Sequence, residues 1–145
     1  MIIYQKMIYR EDLRANPGLV YVFGDNEQRE GLGGQAGEMR GERNARGVAT
    51  LSFTRSWSDE DFERQARVID HDLARIVADL LAGKTVVLPL DGLGTGIARL
   101  RETSPKTFRF LQFRLSQLED VLPSSLKLIL TPSRDPVAFT RKVLG

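Results

Sequence analysis

Two unbroken apolar runs constrain the fold of this 145-residue chain more than any other feature. They are Leu19–Phe23 and Thr85–Leu90, and neither shows the apolar–polar alternation of a half-exposed strand. Runs of this kind are typical of strands that are buried on both faces of a parallel sheet. We therefore expect a mostly parallel sheet with helices on both sides.

Helix signals separate these runs. Ser58 is a good N-cap before three acidic residues, apolar residues then recur at helical spacing, and Gly83 is placed to end that helix. Ser104–Pro105 predicts the start of another helix. The predicted strands are Ile2–Tyr4, Leu19–Phe23, Val48–Phe53, Thr85–Leu90 and Leu126–Leu130, and the predicted helices are Arg10–Ala15, Gln35–Arg40, residues 58–83, a helix from Ser104 and Pro136–Leu144. The predicted fold class is α/β, a three-layer α/β/α sandwich with a mixed, mostly parallel sheet, in one domain of residues 1–145.

Composition excludes several kinds of site and partner. With 41% apolar and 28% charged residues the chain is expected to fold, and its apolar runs are too short to span a bilayer. It has no cysteine and one histidine, so we expect no metal site, and a Ser-His-Asp triad would depend entirely on His71. The helical spacing places His71 opposite the apolar stripe, which favours a solvated surface residue. A net charge of +2 without a basic block does not indicate nucleic acid. No signal-peptide pattern is visible, so we expect a cytoplasmic protein without a membrane partner or a cofactor.

A glycine-rich loop follows the first run. Residues 24–35 contain four glycines, and Asp25–Asn26 stand at the predicted end of the strand. Glycines beside the free N–H groups of a helix start can bind a phosphate or a carboxylate. The pattern matches neither a dinucleotide fingerprint nor a P-loop, and a flexible connection built from turn residues is the alternative.

A second glycine-rich loop follows the other run. Gly92, Gly94 and Gly96 occupy alternate positions around Thr95. Since the carboxyl ends of parallel strands meet at one edge of a sheet, both loops are expected there. Two phosphate-sized sites on one edge would suit a diphosphate ligand such as a nucleotide sugar.

Side chains near these loops are candidates for chemistry. Asp25 and Asp91 could bind a ribose hydroxyl or polarise a water molecule, or could simply form turns. Arg40 and Asn44 could meet phosphates, or belong to a solvated segment. Trp57 is expected in the core, with ligand stacking as the alternative. The predicted ligand-binding residues are Gly24, Gly31, Leu32, Gly33, Gly34, Gln35, Ala36, Arg40, Asn44, Gly92, Leu93, Gly94, Thr95 and Gly96.

These motifs resemble those of known families. The chain is similar to a family of small uncharacterised bacterial and phage proteins over about residues 3–120, in the segments Tyr21–Asn26, Gly31–Ala36, Met39–Glu42, Asn44–Ala45 and Pro89–Gly96. More distantly, the order of the two loops resembles macrodomains, which bind ADP-ribose. That resemblance implies a macrodomain-like fold, an ADP-ribose-like ligand, and a role for Asp25 and Asn26 in positioning an attacking water molecule.

Two functions of different kinds follow as expectations. The first is binding of an ADP-ribose-like or other nucleotide diphosphate, with metal-independent hydrolysis of an ADP-ribosyl or related bond as its enzymatic form; Asp25, Asn26 and Asp91 are then the catalytic candidates. The second is a non-catalytic module of bacterial or phage origin that senses a nucleotide or binds a protein partner.

Overall fold

The structure of the chain is a computed structural model in which residues 1–96 and 98–121 are described. The strands are β1 (Ile2–Gln5), β2 (Leu19–Asn26), β3 (Ala45–Leu51) and β4 (Thr85–Pro89), and the α-helices are α1 (Arg10–Ala15), α2 (Ala36–Met39), α3 (Phe62–Leu81), α4 (Leu100–Thr103) and α5 (Pro105–Leu118). Short 3-10 turns precede α3 at Asp59–Asp61 and follow α5 at Glu119–Val121. The strand predicted at Leu126–Leu130 and the helix predicted at Pro136–Leu144 lie outside the described residues.

The four described strands form one parallel sheet in the order β1-β4-β2-β3. The predicted α/β class is thereby confirmed, whereas the expectation of a mixed sheet is wrong for these strands, which are all parallel. Each strand is joined to the next by a segment that contains a helix, and such crossovers return the chain in the same direction.

Helices pack on both faces of this sheet. Val22 of β2 belongs to a core that includes Ile69 of α3 and Leu111 of α5. Its neighbour Phe23 belongs to a second core that includes Met39 of α2 and Leu13 of α1. Because successive strand side chains point to opposite faces, one apolar run supplies both cores.

The longest described helix follows its predicted pattern. Its buried side chains include Ile69, Leu73, Ile76 and Leu80, and His71 is exposed as expected. Gly83 has a φ of +83°, a conformation that favours glycine and ends the helix. The helix begins at Phe62 rather than at the predicted Ser58, because a 3-10 turn occupies Asp59–Asp61. Among the described residues, no helix is long and apolar enough to cross a membrane.

Neighbouring strands β2 and β4 direct the chain to opposite faces of the sheet. After β2 the chain reaches α2 on one face, whereas after β4 it reaches α5 on the other. In open α/β sheets such a switch in direction leaves a crevice beyond the carboxyl ends of the strands, where ligands bind. The two glycine-rich loops flank this crevice.

Candidate ligand-binding site

A cavity of about 560 Å³ lies beyond the carboxyl ends of the strands. Its walls come from the β1–α1 loop, the end of β2 with the loop that follows it, the end of β3, and the loop after β4. Small-molecule sites typically occupy about 300–1,000 Å³, so the cavity has the size of a ligand site.

Both glycine-rich loops line this cavity. The predicted site residues that it brings together are Gly24, Asp25, Asn26, Gly31, Gly33, Gly34, Gln35, Ala36, Arg40, Asp91, Gly92, Leu93, Gly94, Thr95 and Gly96. Leu32 is not among the lining residues; its side chain is largely exposed. Sequence reasoning missed Lys6, Met7, Tyr9, Glu30, Glu38 and Thr50. The carboxyl ends of parallel strands meet at one edge of the sheet, and this rule could have found the loop after β1, which carries Lys6, Met7 and Tyr9.

Asn44 lies away from the cavity. It directly precedes β3, at the amino ends of the strands, where its Nδ2 donates to the carbonyl oxygens of Leu13, Asn16 and Leu19 at 3.1, 3.1 and 2.9 Å. Asn44 therefore joins α1, β2 and β3. It does not line the cavity, as the prediction of ligand binding would require.

Asp25 is a buried carboxylate held by several donors. Arg40 donates from Nη2 to Oδ1 at 2.5 Å, and Nη1 of Arg29 lies 3.7 Å from Oδ2. The backbone N–H of Asn26 also donates to Oδ1, at 2.8 Å. On the neighbouring strand, a Cβ on Gly47 would come within 2.5 Å of Oδ2. The carboxylate thus depends on a glycine beneath it and on two arginines beside it.

Arg40 fastens the first glycine-rich loop. Besides Asp25, its guanidinium donates to the carbonyl oxygens of Gly31 at 2.8 Å and Glu30 at 3.2 Å. It also lies 5.6 Å from the centre of the Phe23 ring. Nη1 also donates to Asp25 Oδ2, at 3.3 Å, so both Nη groups and Nε are engaged in holding the loop. The sequence left open a phosphate contact or a solvated segment for Arg40, and the structure adds this role in the loop.

Asn26 stabilises the turn that leads into this loop. Its Nδ2 donates to the carbonyl oxygen of Glu30 at 2.6 Å. Within the turn, Arg29 has a φ of +58°, which is unfavourable for a residue with a side chain. Two hydrogen bonds from Arg29 to the carboxylate of Asp72, at 2.7 and 2.8 Å, offset this cost.

Asp91 differs from Asp25 in having no partner among the described residues. Its side chain is exposed, and within the part of the chain that the structure describes no group hydrogen-bonds or ion-pairs with its carboxylate. The same holds for the side chains of Lys6 and Glu30. These are the charged groups of the described lining that remain available to a ligand. Across residues 1–96 and 98–121, no three His, Asp or Glu side chains are arranged to hold a metal ion.

The loop after β4 carries two backbone N–H groups that have no acceptor among the described residues. Leu93 is 1% exposed and Gly94 is also buried, yet no described residue accepts a hydrogen bond from either N–H. Buried backbone N–H groups almost always have a partner, since leaving one unpaired costs about 1–3 kcal/mol. Gly94 has a φ of +75°, and a Cβ there would lie 3.0 Å from the Cβ of Leu100. Glycine is therefore required at this wall of the cavity.

One protein family matches the chain, over residues 3–114. The chain belongs to DUF7831, a family of unknown function. The matched region of this DUF7831 chain includes both glycine-rich loops and all four walls of the cavity. This confirms the expected similarity to an uncharacterised family. No curated protein and no solved structure matches the chain significantly, and none of the comparisons links it to macrodomains.

Proposed function

We propose that the cavity binds a nucleotide diphosphate of the ADP-ribose type, with its phosphates against the two glycine-rich loops. The most direct support comes from the N–H groups of Leu93 and Gly94, because both residues line the cavity and no described residue accepts a hydrogen bond from either group. The opposite loop supplies further N–H groups, at residues 31–36, for which no described residue is an acceptor. Phosphate oxygens are strong acceptors that clustered backbone N–H groups bind well.

The charged side chains favour a ligand that also carries hydroxyl groups. Arg40 is already engaged by Asp25 and by loop carbonyls, which leaves Lys6 as the available cation of the described lining. Asp91 and Glu30 are available carboxylates. Carboxylates repel phosphate but accept hydrogen bonds from hydroxyls. A ligand with both a diphosphate and a ribose can use both kinds of group.

The order of the loops also supports this ligand class. A loop with Asp25–Asn26 and glycines precedes a second glycine-rich loop in the sequence, and both reach one cavity. This arrangement resembles macrodomains, which bind ADP-ribose. We therefore propose a macrodomain-like fold together with this ligand class.

Hydrolysis of an ADP-ribosyl or related bond is the enzymatic form of this proposal. Asp91 is the best-placed group to take a proton from a water molecule, since it lines the cavity and no described residue pairs with its carboxylate. The side chains of Asp25 and Asn26 already hydrogen-bond to Arg40 and Glu30. These two residues would therefore contribute by keeping the cavity wall in shape. That engagement favours a non-catalytic nucleotide sensor as the second candidate function.

A thermal-shift screen tests the binding proposal. The wild-type chain is screened with ADP-ribose, NAD, ADP, AMP, GDP and sugar phosphates. A ligand at about 100 times its Kd should add roughly 2.7 kcal/mol of stability, which raises Tm by several degrees. A shift with ADP-ribose that exceeds the shift with AMP is the expected result. The absence of a shift with every compound would overturn the proposal.

A matched pair of glycine variants locates the site. A methyl group added at Gly24 would lie 3.8 Å from both the Gly94 nitrogen and Thr50 Oγ1, an ordinary contact that the fold tolerates. Gly18→Ala is the control, since nothing lies within 4 Å of its added Cβ. Gly24→Ala should abolish the ligand-induced shift while Gly18→Ala retains it. Equal shifts in both variants would place the ligand elsewhere.

Turnover separates the two functions. An enzyme releases ADP-ribose from an ADP-ribosylated protein, and Asp91→Asn should remove that release. A sensor shows the thermal shift and releases no product.

A further inference from the structure

We infer that the β1–α1 loop forms a subsite for the base of the nucleotide, with Tyr9 as the stacking residue. This inference rests on the proposed function and assigns the part of the ligand that the glycine-rich loops do not contact. Among the described residues that line the cavity, Tyr9 is the one aromatic side chain. The half-exposed thioether of Met7 lies in the same wall.

The Tyr9 ring makes no polar or aromatic contact with the described residues. It is 47% exposed, and in the described part of the chain its side chain makes no ring, cation–π or hydrogen-bonding contact. Tyr9 is the N-cap residue of α1, and its backbone N–H donates a hydrogen bond to Asp12 Oδ2 at 2.9 Å. Since this bond uses the backbone, the hydroxyl and the exposed part of the ring remain available to a ligand.

The backbone on either side of Tyr9 is fixed. Ile8 is fully buried, and its carbonyl accepts a hydrogen bond from Gln35 Nε2 at 3.2 Å. The backbone N–H of Arg10 donates to Glu38 Oε2 at 2.9 Å, and the Arg10 guanidinium donates to Glu42 Oε1 at 2.6 Å. A rigid support lowers the entropy that a side chain loses when a ligand binds. Tyr9 is thus held at the cavity before a ligand arrives.

The same contacts relate Tyr9 to the phosphate-binding loops. Gln35 belongs to the first glycine-rich loop, so its hydrogen bond to Ile8 joins that loop to the segment carrying Tyr9. Phe53 is also half-exposed, but it packs on Gly31 and does not line the cavity. Stacking of a base on an aromatic ring contributes about 1–3 kcal/mol and depends little on which base is present.

Calorimetric titration of two ligands tests the inference. ADP carries a base, and pyrophosphate carries the phosphates alone. For Tyr9→Ala we expect the Kd of ADP to rise about 10-fold or more, which is the loss of one stacking contact. The Kd of pyrophosphate should change less than about twofold, and Tyr9→Phe should bind both ligands like wild type. Tyr9→Leu, which keeps an apolar side chain, serves as a second variant if Tyr9→Ala is unstable.

The outcomes distinguish this inference from the proposed function. If wild type binds both ligands and Tyr9→Ala weakens them by the same factor, or weakens neither, the base subsite is wrong and the phosphate site stands. If wild type binds neither ligand nor any other nucleotide, the proposed function fails and this inference fails with it.

Discussion

Arg40 and Asp25 form the ion pair that fastens the first glycine-rich loop to the sheet, with Nη2 of Arg40 2.5 Å from Oδ1 of Asp25. Asp25 is 5% exposed, so water screens the pair little. Arg40 also holds the carbonyl oxygens of Glu30 and Gly31. The shape of this wall of the cavity therefore depends on a charge pair between β2 and the residue that follows α2, and not on glycines alone.

Arg40→Gln should lower the free energy of unfolding by about 3 kcal/mol, because it leaves the buried Asp25 carboxylate with the more distant Arg29. Urea denaturation measures the change. Arg14→Gln is the matched control, since the Arg14 side chain is 68% exposed and its pair with Glu42 should contribute less than about 1 kcal/mol. Similar losses in the two variants would contradict a buried, structural role for Arg40.

Gly47→Ala should destabilise the fold by about 1–3 kcal/mol or more, because the added Cβ would come within 2.5 Å of Asp25 Oδ2. The displaced carboxylate should also loosen the first glycine-rich loop and weaken ligand binding. Thermal denaturation with and without ADP-ribose measures both effects. Gly18→Ala adds the same methyl group where nothing lies within 4 Å, and wild-type behaviour is expected. A Gly47→Ala protein as stable as this control would refute the contact.

The extent of β2 shows how far the sequence predicts the fold. The apolar run Leu19–Phe23 predicts a buried strand, and that part is confirmed. The strand continues through Gly24–Asn26, which the sequence assigns to a loop. This extension depends on pairing with β3 and on the absence of a side chain at Gly47, which leaves room for the Asp25 carboxylate. Both conditions involve residues that are distant in the sequence. Local patterns carry no information about such contacts.

The cavity lining shows the same limit for the site. Strand ends followed by glycines predict that both glycine-rich loops lie at one edge of the sheet, because parallel strands share a carboxyl edge, and most of residues 24–36 and 89–96 line one cavity there. The prediction for Asn44 rests on its nearness in sequence to the first loop. In the structure Asn44 directly precedes β3, at the edge of the sheet opposite the cavity. Tyr9 was missed because nothing around it in the sequence resembles a ligand motif.

Asn44→Ala should lower the free energy of unfolding by about 1–3 kcal/mol, since three backbone carbonyls lose their donor. Ligand affinity, measured well below Tm, should not change. Asn26→Ala makes the complementary variant: it removes the hydrogen bond to Glu30 at the cavity, and ligand affinity should fall. An Asn44→Ala protein of normal stability but weakened binding would restore Asn44 to the site.

Glu42 should make folding sensitive to acid. The hydrogen bond that it accepts from Arg10, with a further contribution from Arg14, lowers the pKa of Glu42 below its ordinary value of 4.5. The folded state therefore favours the ionised carboxylate. Its contribution to stability is present above pH 4.5 and is lost as the pH falls through the lower, folded-state pKa. In urea denaturation across this range, Glu42→Gln should lose less stability than wild type; parallel pH profiles would exclude this role.

Asp91→Asn should separate binding from stability. Because the Asp91 side chain is exposed and makes no contact with the described residues, the free energy of unfolding should stay within about 0.5 kcal/mol of wild type. A hydrogen bond between a ribose hydroxyl and a carboxylate contributes about 1.5–3 kcal/mol, so ADP-ribose should bind about 10-fold more weakly. Pyrophosphate contains no sugar. It should bind the variant at least as well as it binds wild type, because the substitution removes a negative charge from the cavity. Glu11→Gln neutralises an exposed carboxylate outside the cavity and should leave both ligands unaffected. If Asp91→Asn weakens pyrophosphate as much as ADP-ribose, Asp91 does not contact the sugar, and the carboxylates of the cavity need another explanation.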